Sequence, residues 1–372
     1  MKKQHLGACA VAAILAASLQ AARADDDRFT VHGFGNQDYS KSTSNSFEQS
    51  GPTGTWDNNF LGIVMSARVT DESKVWAQFQ SNSTENPRLT WMFIDYQITD
   101  DLSGRAGRIK FPFGIYNEYI DTRALQVSVG KPLAYSLEGD FTYDAFNGVE
   151  LEYAKTLGTG GRVVVDAFGG NIFTPATPFF TPAYPDQFQM GNFEAVTNDL
   201  HVVGGKIAWE TPVDGLRLIV SGNQTKVETT AGGGQVPNQQ GVENRAIFSI
   251  DFVRDWVDLK AEYNMHKYPG LSGFSDEKSH AWYLQAAVPL NAWTPYLRYD
   301  SVVTNQDLSS DPSYYQRTVV VGINRRITRN INFRIEDGFN HGYAMPVAAG
   351  ETLAGSGKVD WQLYAASVNF MF

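Results

Sequence analysis

The sequence closes on the segment Val359–Phe372, which reads VDWQLYAASVNFMF. Its residues alternate between two faces. One face carries only apolar and aromatic side chains, namely Tyr364, Ala366, Val368, Phe370 and Phe372. The other face is mixed and carries Trp361, Leu363, Ala365, Ser367, Asn369 and Met371. Because successive side chains of a β-strand point to opposite sides, this pattern predicts a strand with one apolar face.

The same two-residue period recurs along the chain. Apolar side chains alternate with charged or polar ones in Val257–His266, and again in Ile331–Glu336. A soluble β-sandwich gives the same alternation with its apolar faces turned inward, so a single strand does not separate the two classes. No apolar run of about 18 residues follows the amino-terminal segment, and the chain therefore cannot cross a bilayer as helices. A closed barrel is the other way to span lipid, because every backbone group is then paired between strands.

The connections between the predicted strands fall into two classes. Short polar turns are predicted at Thr70–Ser73, Thr99–Ser103, Thr156–Gly161, Thr211–Gly215, Asp255–Trp256, Asn291–Trp293 and Thr328–Asn330. Longer segments are predicted near 41–55, 82–87, 112–147, 172–200, 228–244, 268–280, 306–315 and 341–358. Seven short turns and eight long loops join sixteen strands, and bacterial transmembrane barrels combine an even strand number with this division. The sequence therefore predicts an all-β fold, a transmembrane antiparallel β-barrel of 16 strands.

The predicted strands cover 28–40, 56–70, 74–81, 88–98, 104–111, 148–155, 162–171, 201–210, 216–227, 245–254, 257–267, 281–290, 294–305, 316–327, 331–340 and 359–372. Tryptophans lie near the ends of these strands. Three of them, Trp209, Trp256 and Trp293, adjoin short turns, and four others, Trp56, Trp91, Trp282 and Trp361, lie toward the loop ends. We interpret the two groups as aromatic belts at the two membrane interfaces. Packing in a soluble core is the alternative.

The amino terminus has the pattern of an export signal. Lys2 and Lys3 precede an apolar run, Leu6–Leu19, and Ala22-Arg23-Ala24 forms a cleavage site before Asp25. A lipoprotein signal ending at Cys9 is the alternative, but too little apolar sequence precedes that cysteine. We predict a signal peptide over residues 1–24 and a single barrel domain over 25–372. Cleavage would remove the one cysteine, so no disulfide is expected.

The charge of the predicted mature chain is strongly acidic. Loss of residues 1–24 leaves 27 basic residues against 40 acidic ones, a formal charge of −13 with neutral histidines. Such a charge argues against nucleic acid as a partner. No G-x-S-x-G elbow, H-E-x-x-H motif or cysteine cluster occurs, so we predict no enzymatic activity, no metal and no cofactor.

The whole predicted mature chain resembles the sixteen-stranded bacterial porin family. The terminal aromatic residue of the last strand resembles the insertion signal of outer-membrane barrels, and Gly107–Asn117, GRIKFPFGIYN, is similar to a stretch after the fifth strand in porins related to the phosphate-selective group. The resemblance implies a bacterial outer-membrane location, contact with outer-membrane lipid, a homotrimer, and a long third loop folded into the lumen. Phosphate selectivity does not follow from it.

The third long segment, 112–147, is the candidate constriction loop. It carries Glu118, Asp121, Arg123, Lys131, Glu138, Asp140 and Asp144. A pore becomes selective where it narrows, since charges in a wide aqueous bore are screened over about 8–10 Å. A solvated outer loop without a role in conduction is the alternative.

Polar strand faces supply candidates for the wall opposite this loop. The basic ones are Arg68, Arg108, Lys110, Lys260, Arg298 and Arg334, and the acidic ones are Asp95, Glu150, Glu152, Asp251, Glu262, Asp300 and Glu336. We predict that Arg108 and Lys110 belong to the constriction, because they share one face of the strand just before the loop. The predicted pore-lining residues are Arg68, Arg108, Lys110, Glu118, Asp121, Arg123, Lys131, Arg298 and Arg334. Cross-strand pairs that only stiffen the wall are the alternative.

These patterns favour a porin that gives passive diffusion of small hydrophilic solutes and ions through a water-filled, charge-lined pore. Two alternatives stay open, a channel specific for a small organic or inorganic anion and a structural or adhesive barrel. The proline-rich segment Thr174–Phe188 suits a stiff lid, a subunit contact or an irregular surface loop.

Overall fold

The computed structural model describes residues 28–47, 50–83, 87–135, 145–172, 196–231, 239–269, 276–345 and 357–372. Sixteen β-strands occur among them, as predicted. They are β1 (Phe29–Ser42), β2 (Asn59–Arg68), β3 (Ser73–Ser81), β4 (Arg88–Thr99), β5 (Leu102–Lys110), β6 (Ala145–Thr156), β7 (Arg162–Ile172), β8 (Val196–Glu210), β9 (Leu216–Ala231), β10 (Gln239–Arg254), β11 (Val257–Tyr268), β12 (Glu277–Ala287), β13 (Trp293–Val303), β14 (Tyr315–Arg326), β15 (Ile331–Gly342) and β16 (Asp360–Met371).

The strands form one closed antiparallel barrel. Each strand pairs with its neighbours in sequence, and β1 pairs with β16 from Phe34↔Met371 to Ser42↔Leu363. Closure leaves no strand edge exposed, which is the requirement for a sheet in lipid. The prediction of a sixteen-stranded antiparallel barrel is confirmed.

The connections alternate in length as predicted. Seven of them have two to five residues, and the other eight are longer. Five short 3-10 helices occur in the described connections, at Asn117–Tyr119, Arg123–Leu125, Leu133–Tyr135, Gly158–Gly160 and Gln306–Leu308. No helix in the described part of the chain is long and apolar enough to cross a membrane.

The barrel is apolar outside and polar inside. On β11, Tyr263 and Met265 are exposed on the outer side, whereas Glu262 and Asn264 are buried on the inner side. The last strand follows the same rule, because Phe372 is 60% exposed and Asn369 is fully buried. An apolar outer surface over a polar lumen is the reverse of a soluble β-sandwich and is typical of transmembrane barrels.

Glycines of β1 accommodate the aromatic residues at the end of the chain. Phe372 exchanges two backbone hydrogen bonds of 2.8 Å with Gly33, and its ring covers that glycine. A Cβ atom on Gly33 would lie 2.1 Å from the Phe372 ring, so a larger residue there would displace that ring. The first and last strands are therefore joined both by backbone hydrogen bonds and by packing of the Phe372 ring on Gly33.

Two parts of the strand prediction are corrected. Trp91 and Trp361 point into the barrel and not into an outer belt, since Trp91 pairs with the buried Gln78 and Trp361 is buried against Phe47 with ring centroids 5.9 Å apart. Its indole N–H donates to the carbonyl of Gly342 at 3.0 Å. In addition, β8, β9 and β10 reach 15 or 16 residues and extend beyond their predicted bounds. The added residues are mostly polar and lack the alternation by which strands were recognised.

The buried core lies inside the barrel, around the start of the third long connection. Phe111, Phe113, Phe146 and Phe168 pack with their ring centroids 4.9–6.1 Å apart. A second cluster joins Ile115, Tyr116 and Leu133 of that connection to Tyr283 of β12. These contacts hold the chain that follows β5 within the lumen.

Candidate pore constriction

The chain leaves β5 and crosses the lumen as residues 111–135, which we call the inward loop. Its backbone and side chains bond to residues of β3, β5, β8, β9, β11, β12, β13 and β15. The prediction that the third long loop folds into the lumen is therefore confirmed for its described residues. Residues 136–144, with Glu138, Asp140 and Asp144, lie outside the described part of the chain. The partners of the inward loop fall on two walls with different chemistry, which we describe in turn.

The anchoring wall comprises β11, β12, β13 and β15. Its first contact is Glu262 of β11, which is only 3% exposed. The carboxylate accepts hydrogen bonds from the N–H of Ile115 at 2.7 Å and from the hydroxyls of Tyr135, Tyr283 and Ser249 at 2.6, 2.7 and 2.6 Å. A buried carboxylate is tolerated only when its lone pairs are satisfied in this way.

Tyr135 belongs to the loop and connects its two ends. Its hydroxyl oxygen accepts from the N–H groups of Ile115 and Tyr116, each at 3.0 Å, and the same hydroxyl donates a hydrogen bond to Glu262. Burial raises the pKa of Tyr135, and the negative charge of Glu262 raises it further. The phenol therefore stays protonated and continues to donate at any ordinary pH.

The second anchor is the buried pair Arg298 and Asp300 on β13, whose side chains bond at 2.7 Å. Asp300 accepts from the N–H of Leu133 at 3.0 Å. The guanidinium of Arg298 donates to the Ser128 hydroxyl and the Gly130 carbonyl, both at 2.8 Å. Both members of the pair thus bind the loop backbone or its immediate side chains.

The third anchor is on β15. Glu336 accepts from the N–H groups of Val129 and Gly130 at 2.8 and 2.9 Å. Arg334, which is fully buried, donates to the carbonyls of Ser128 and Arg123 at 2.7 and 2.6 Å. The wall therefore holds the loop by its main chain, with donors and acceptors supplied by charged side chains.

The charged wall comprises β4 to β8 and faces the middle of the loop. Arg105 of β5 forms a three-way ion pair, with Asp95 at 3.0 Å, Glu150 at 2.6 Å and Glu152 at 3.0 Å. Arg105, Asp95 and Glu152 have side chains 22–28% exposed, so they are in contact with the aqueous lumen. Their charges are therefore accessible to a solute.

Lys206 of β8 links this wall to the loop. Its ammonium group lies 3.0 Å from Asp166 and 2.9 Å from Glu118, the latter 47% exposed. Oxygens of Glu150, Glu152 and Asp166 lie within 4.8 Å of one another, a spacing that could hold a cation. Arg105 and Lys206 already neutralise part of this cluster, and we assign no metal to it.

Asp121 binds the loop to β3 and β5. Its carboxylate lies 2.5 Å from the Lys110 ammonium and accepts from the Gln78 amide at 2.9 Å. Burial alone would raise the pKa of Asp121, but the Lys110 charge and these hydrogen bonds outweigh it, so the pKa lies below its ordinary value. The Asp121 carboxylate therefore stays ionised to a lower pH than an ordinary aspartate.

A cavity of about 270 Å³ lies between the loop and the first strands. Its floor is aromatic and consists of Trp76, Trp91 and Phe93, and its rim carries the charges of Asp95, Arg105, Lys110 and Glu118. The cavity is open lumen between the loop and the charged wall. Solutes that pass the loop on this side would meet both signs of charge.

The structure brings together only part of the predicted pore-lining set. Lys110, Glu118 and Asp121 meet at the charged side of the loop. Arg298 and Arg334 are buried as anchors of the loop. Arg123 and Lys131 are half-exposed loop residues, and Arg68 is exposed as the last residue of β2, beside a short turn and outside the contacts described above.

Arg108 requires a correction. The register pairs it with Met92 and Asn147, both exposed on the outer side of the barrel, and Arg108 Nε donates to the Thr90 carbonyl at 2.6 Å. Paired residues share a face, so Arg108 lies outside and Arg105 inside. Gly104 and Gly107 leave β5 without a clearly apolar face, which is why alternation alone selected the wrong one.

Arg105, Lys206 and Asp166 were missed as constriction residues. A usable signal was present for Arg105, because Glu150 and Glu152 stand two residues apart on the next strand and can flank one cation. No pattern in the sequence marks Tyr135 and Tyr283 as the donors to Glu262. Their role depends on where the loop returns to the wall.

Neither a protein-family model nor a curated protein matches the sequence. Solved structures do match. The barrel is similar to in-vitro folded OmpT, an outer-membrane protein of Vibrio cholerae, with 10% identity, a TM-score of 0.58, and coverage of 93% of this chain and 98% of that one. It is similar to the outer-membrane channel DcaP of Acinetobacter baumannii, with 12% identity, a TM-score of 0.56, and coverage of 92% and 97%.

Salmonella typhi OmpF, solved with daunomycin, gives 13% identity, a TM-score of 0.57, and coverage of 94% of this chain and 99% of that one. Identities this low establish the fold alone. The chain has the fold of the sixteen-stranded outer-membrane porins.

Proposed function

We propose that this protein is an outer-membrane porin that lets small hydrophilic solutes and ions diffuse passively through a water-filled, charge-lined pore. The observation that carries the proposal is the inward loop, which is bound by its main chain to one wall of the lumen and faces accessible charges on the other. A loop fixed in this way narrows the pore without blocking exchange of water along the charged side.

The outer surface supports the location. Large apolar side chains such as Ile94, Leu151 and Leu284 are exposed around the barrel. An apolar surface of this extent is unfavourable in water and is typical of a protein surrounded by lipid. We propose export by a cleaved signal over residues 1–24, contact with outer-membrane lipid, and a homotrimer; one OmpT structure is a trimer form. Residues 1–27 lie outside the described part of the chain.

The accessible charges favour cations. In the ion pairs of the charged side, the side chains more than a fifth exposed are the carboxylates of Asp95, Glu118 and Glu152 and the guanidinium of Arg105. The formal excess of two negative charges raises the local concentration of cations over anions where the pore narrows. We therefore propose a modest cation preference.

The residues take two roles in this proposal. Arg105, Lys110, Glu118, Asp121 and Lys206 line the passage. The half-exposed Arg123 and Lys131 lie on the side of the loop toward the anchoring wall, where their carbonyls accept from Arg334 and Arg298. Arg298, Arg334, Glu262 and Glu336 position the loop and do not contact solute. Arg68 and Arg108 take no part in the constriction, and the proposal includes no cofactor, metal or catalytic step.

Liposome swelling tests the proposal. Purified protein in lipid vesicles is challenged with a size series of neutral sugars and with small organic cations and anions of matched size. We expect swelling that falls steeply with solute size and is faster for cations than for anions. A channel specific for one anion would instead admit that solute and few others. A purely structural barrel would admit none, and that result would overturn the porin proposal.

A further inference from the structure

An acidic residue lies in the middle of the apolar outer surface. Asp337 of β15 points outward, because the outward-facing Ile335 and Phe339 on either side of it are 49% and 45% exposed, while Glu336 is buried. Its cross-strand neighbours are Val321 and Tyr364, both exposed on the same face. An ionisable side chain in such a band is costly in lipid and marks a site where something other than lipid is in contact.

Asp337 has no hydrogen-bond or ion-pair partner among the described residues. Its Oδ1 atom is buried without a hydrogen-bond donor, and the described residues give its carboxylate no ion pair. A buried acceptor without a donor destabilises the folded protein. The arrangement is therefore incomplete in the isolated barrel.

A lysine lies in the same cross-strand row on the other side of β16. Tyr364 pairs with Asp337 of β15 on one side and with Lys41 of β1 on the other. Lys41 is exposed and also faces outward, since it shares that row. The two backbones are two strand spacings apart, about 10 Å.

The two charges are kept apart within one chain. The Tyr364 ring stands between them, and its hydroxyl donates to Gln362 at 2.6 Å, which fixes the ring. The outer face thus presents a positive group on one flank of β16 and a negative group on the other. Neither charge is neutralised by a described residue.

Cyclic symmetry makes these flanks complementary. When identical barrels surround an axis that faces β16, the β1 flank of each copy meets the β15 flank of the next. Lys41 of one copy then approaches Asp337 of its neighbour. Strand tilt sets the two at different heights, and the flexible four-carbon stem of lysine spans that offset.

We propose that the outer face of β1, β15 and β16 is the contact between copies of this chain, and that Asp337 pairs there with Lys41 of the neighbouring copy. A lipid phosphate would suit Lys41 but would repel Asp337, whereas a second copy satisfies both. The inference rests on the homotrimer of the proposed function and specifies which surface forms it.

Cross-linking between differently tagged chains tests the contact. One chain carries Lys41→Cys and the other Asp337→Cys, both with Cys9→Ser, and the two are expressed together and treated with a short bis-maleimide. We expect a covalent dimer with both tags from the mixture and none from either chain alone. Lys267→Cys, an exposed lysine on β11, replaces Lys41→Cys as the matched control. Absence of the mixed dimer, or an equal yield with the control, would overturn the inference.

Charge reversal provides an independent readout. Asp337→Lys should lower the trimer fraction more than about tenfold, because it opposes a like charge to Lys41, and Lys41→Asp added to it should restore the trimer. Asp337→Asn is the milder variant if the reversed chain does not insert. Trimer loss without rescue in the double variant would contradict the pairing. Single-channel conductance of each variant separates this outcome from failure of the porin proposal, since a monomeric barrel would still conduct.

Discussion

The anchoring wall and the charged wall use the same residue types for different purposes. On β11, β13 and β15, Glu262, Asp300 and Glu336 are buried and accept from main-chain N–H groups of the inward loop. On β4 to β6, Asp95 and Glu152 are partly exposed and pair with Arg105. Carboxylates of the first wall determine where the loop lies, whereas those of the second determine what it faces.

This difference shows that burial and partner decide the role of a lumen charge. A buried carboxylate bound to backbone donors is out of contact with solute, and its lone pairs are already occupied by the loop. A partly exposed ion pair retains some field in the water beside it, which salt screens within about 10 Å. Disrupting the first wall should therefore change pore size, and disrupting the second should change selectivity.

The largest effect is expected from Glu262→Ala. Removal of the carboxylate leaves the hydroxyls of Tyr135, Tyr283 and Ser249 without their acceptor, and each unsatisfied buried donor costs about 1–3 kcal/mol. The loop should detach from the anchoring wall, and single-channel conductance should rise about twofold or more with added noise. Glu152→Ala on the charged wall is the matched control and should leave the conductance close to that of the parent. Equal conductance in both variants would remove the distinction between the walls.

Arg105→Ala should change selectivity without changing pore size. The variant leaves Asp95, Glu150 and Glu152 without their shared cation, and the local negative charge therefore grows. The permeability ratio of potassium to chloride should increase severalfold. Arg108→Ala, on the outer side of the same strand, should leave that ratio unchanged. A larger effect from Arg108→Ala would restore the sequence-based assignment.

A smaller and opposite shift is expected from the double variant Asp95→Asn, Glu152→Gln. It removes two accessible negative charges and preserves shape, so the cation preference should be abolished or weakly inverted. Zero-current potentials across a salt gradient provide the measurement. An unchanged potential would show that these carboxylates do not face the conducting path.

The smallest effect concerns pH. The pKa of Asp121 lies below its ordinary value in the folded protein, so its pair with Lys110 contributes stability above the unfolded pKa and loses it as the pH falls through the lower folded value. Conductance should stay constant from neutral pH to about pH 4, with loosening of the loop only in stronger acid. Asp121→Asn should show a loop already loosened at neutral pH. A transition near pH 5 that Asp121→Asn abolishes would contradict this reading of the pair.

The strands were predictable because their pattern reflects the solvent on each side. Alternation in β11 and β16 survives in sequence since one face meets lipid and the other water. The polar extensions of β8 to β10 lack this contrast between an apolar and a polar face, so the sequence did not predict their length. Alternation failed on β5 for a related reason, because glycine and alanine occupy positions that would have marked the apolar face.

The constriction was predictable in place but not in detail. Glu118, Asp121 and Lys110 were recognisable as charges in or beside the third long loop. The anchoring role of Arg298 and Arg334 was not, because their partners are main-chain carbonyls, which carry no sequence signature. Only the path of the loop decides whether a lumen arginine meets water or backbone.

The zero-current potential of the parent channel across a tenfold potassium chloride gradient tests the central claim most directly. The charged wall has an excess of carboxylates beside the fixed loop, so the potential should have the sign expected when potassium permeates faster than chloride. Its magnitude should fall as the salt concentration rises, because salt screens these charges. A potential of the opposite sign, or a barrel that inserts and carries no current, would contradict it.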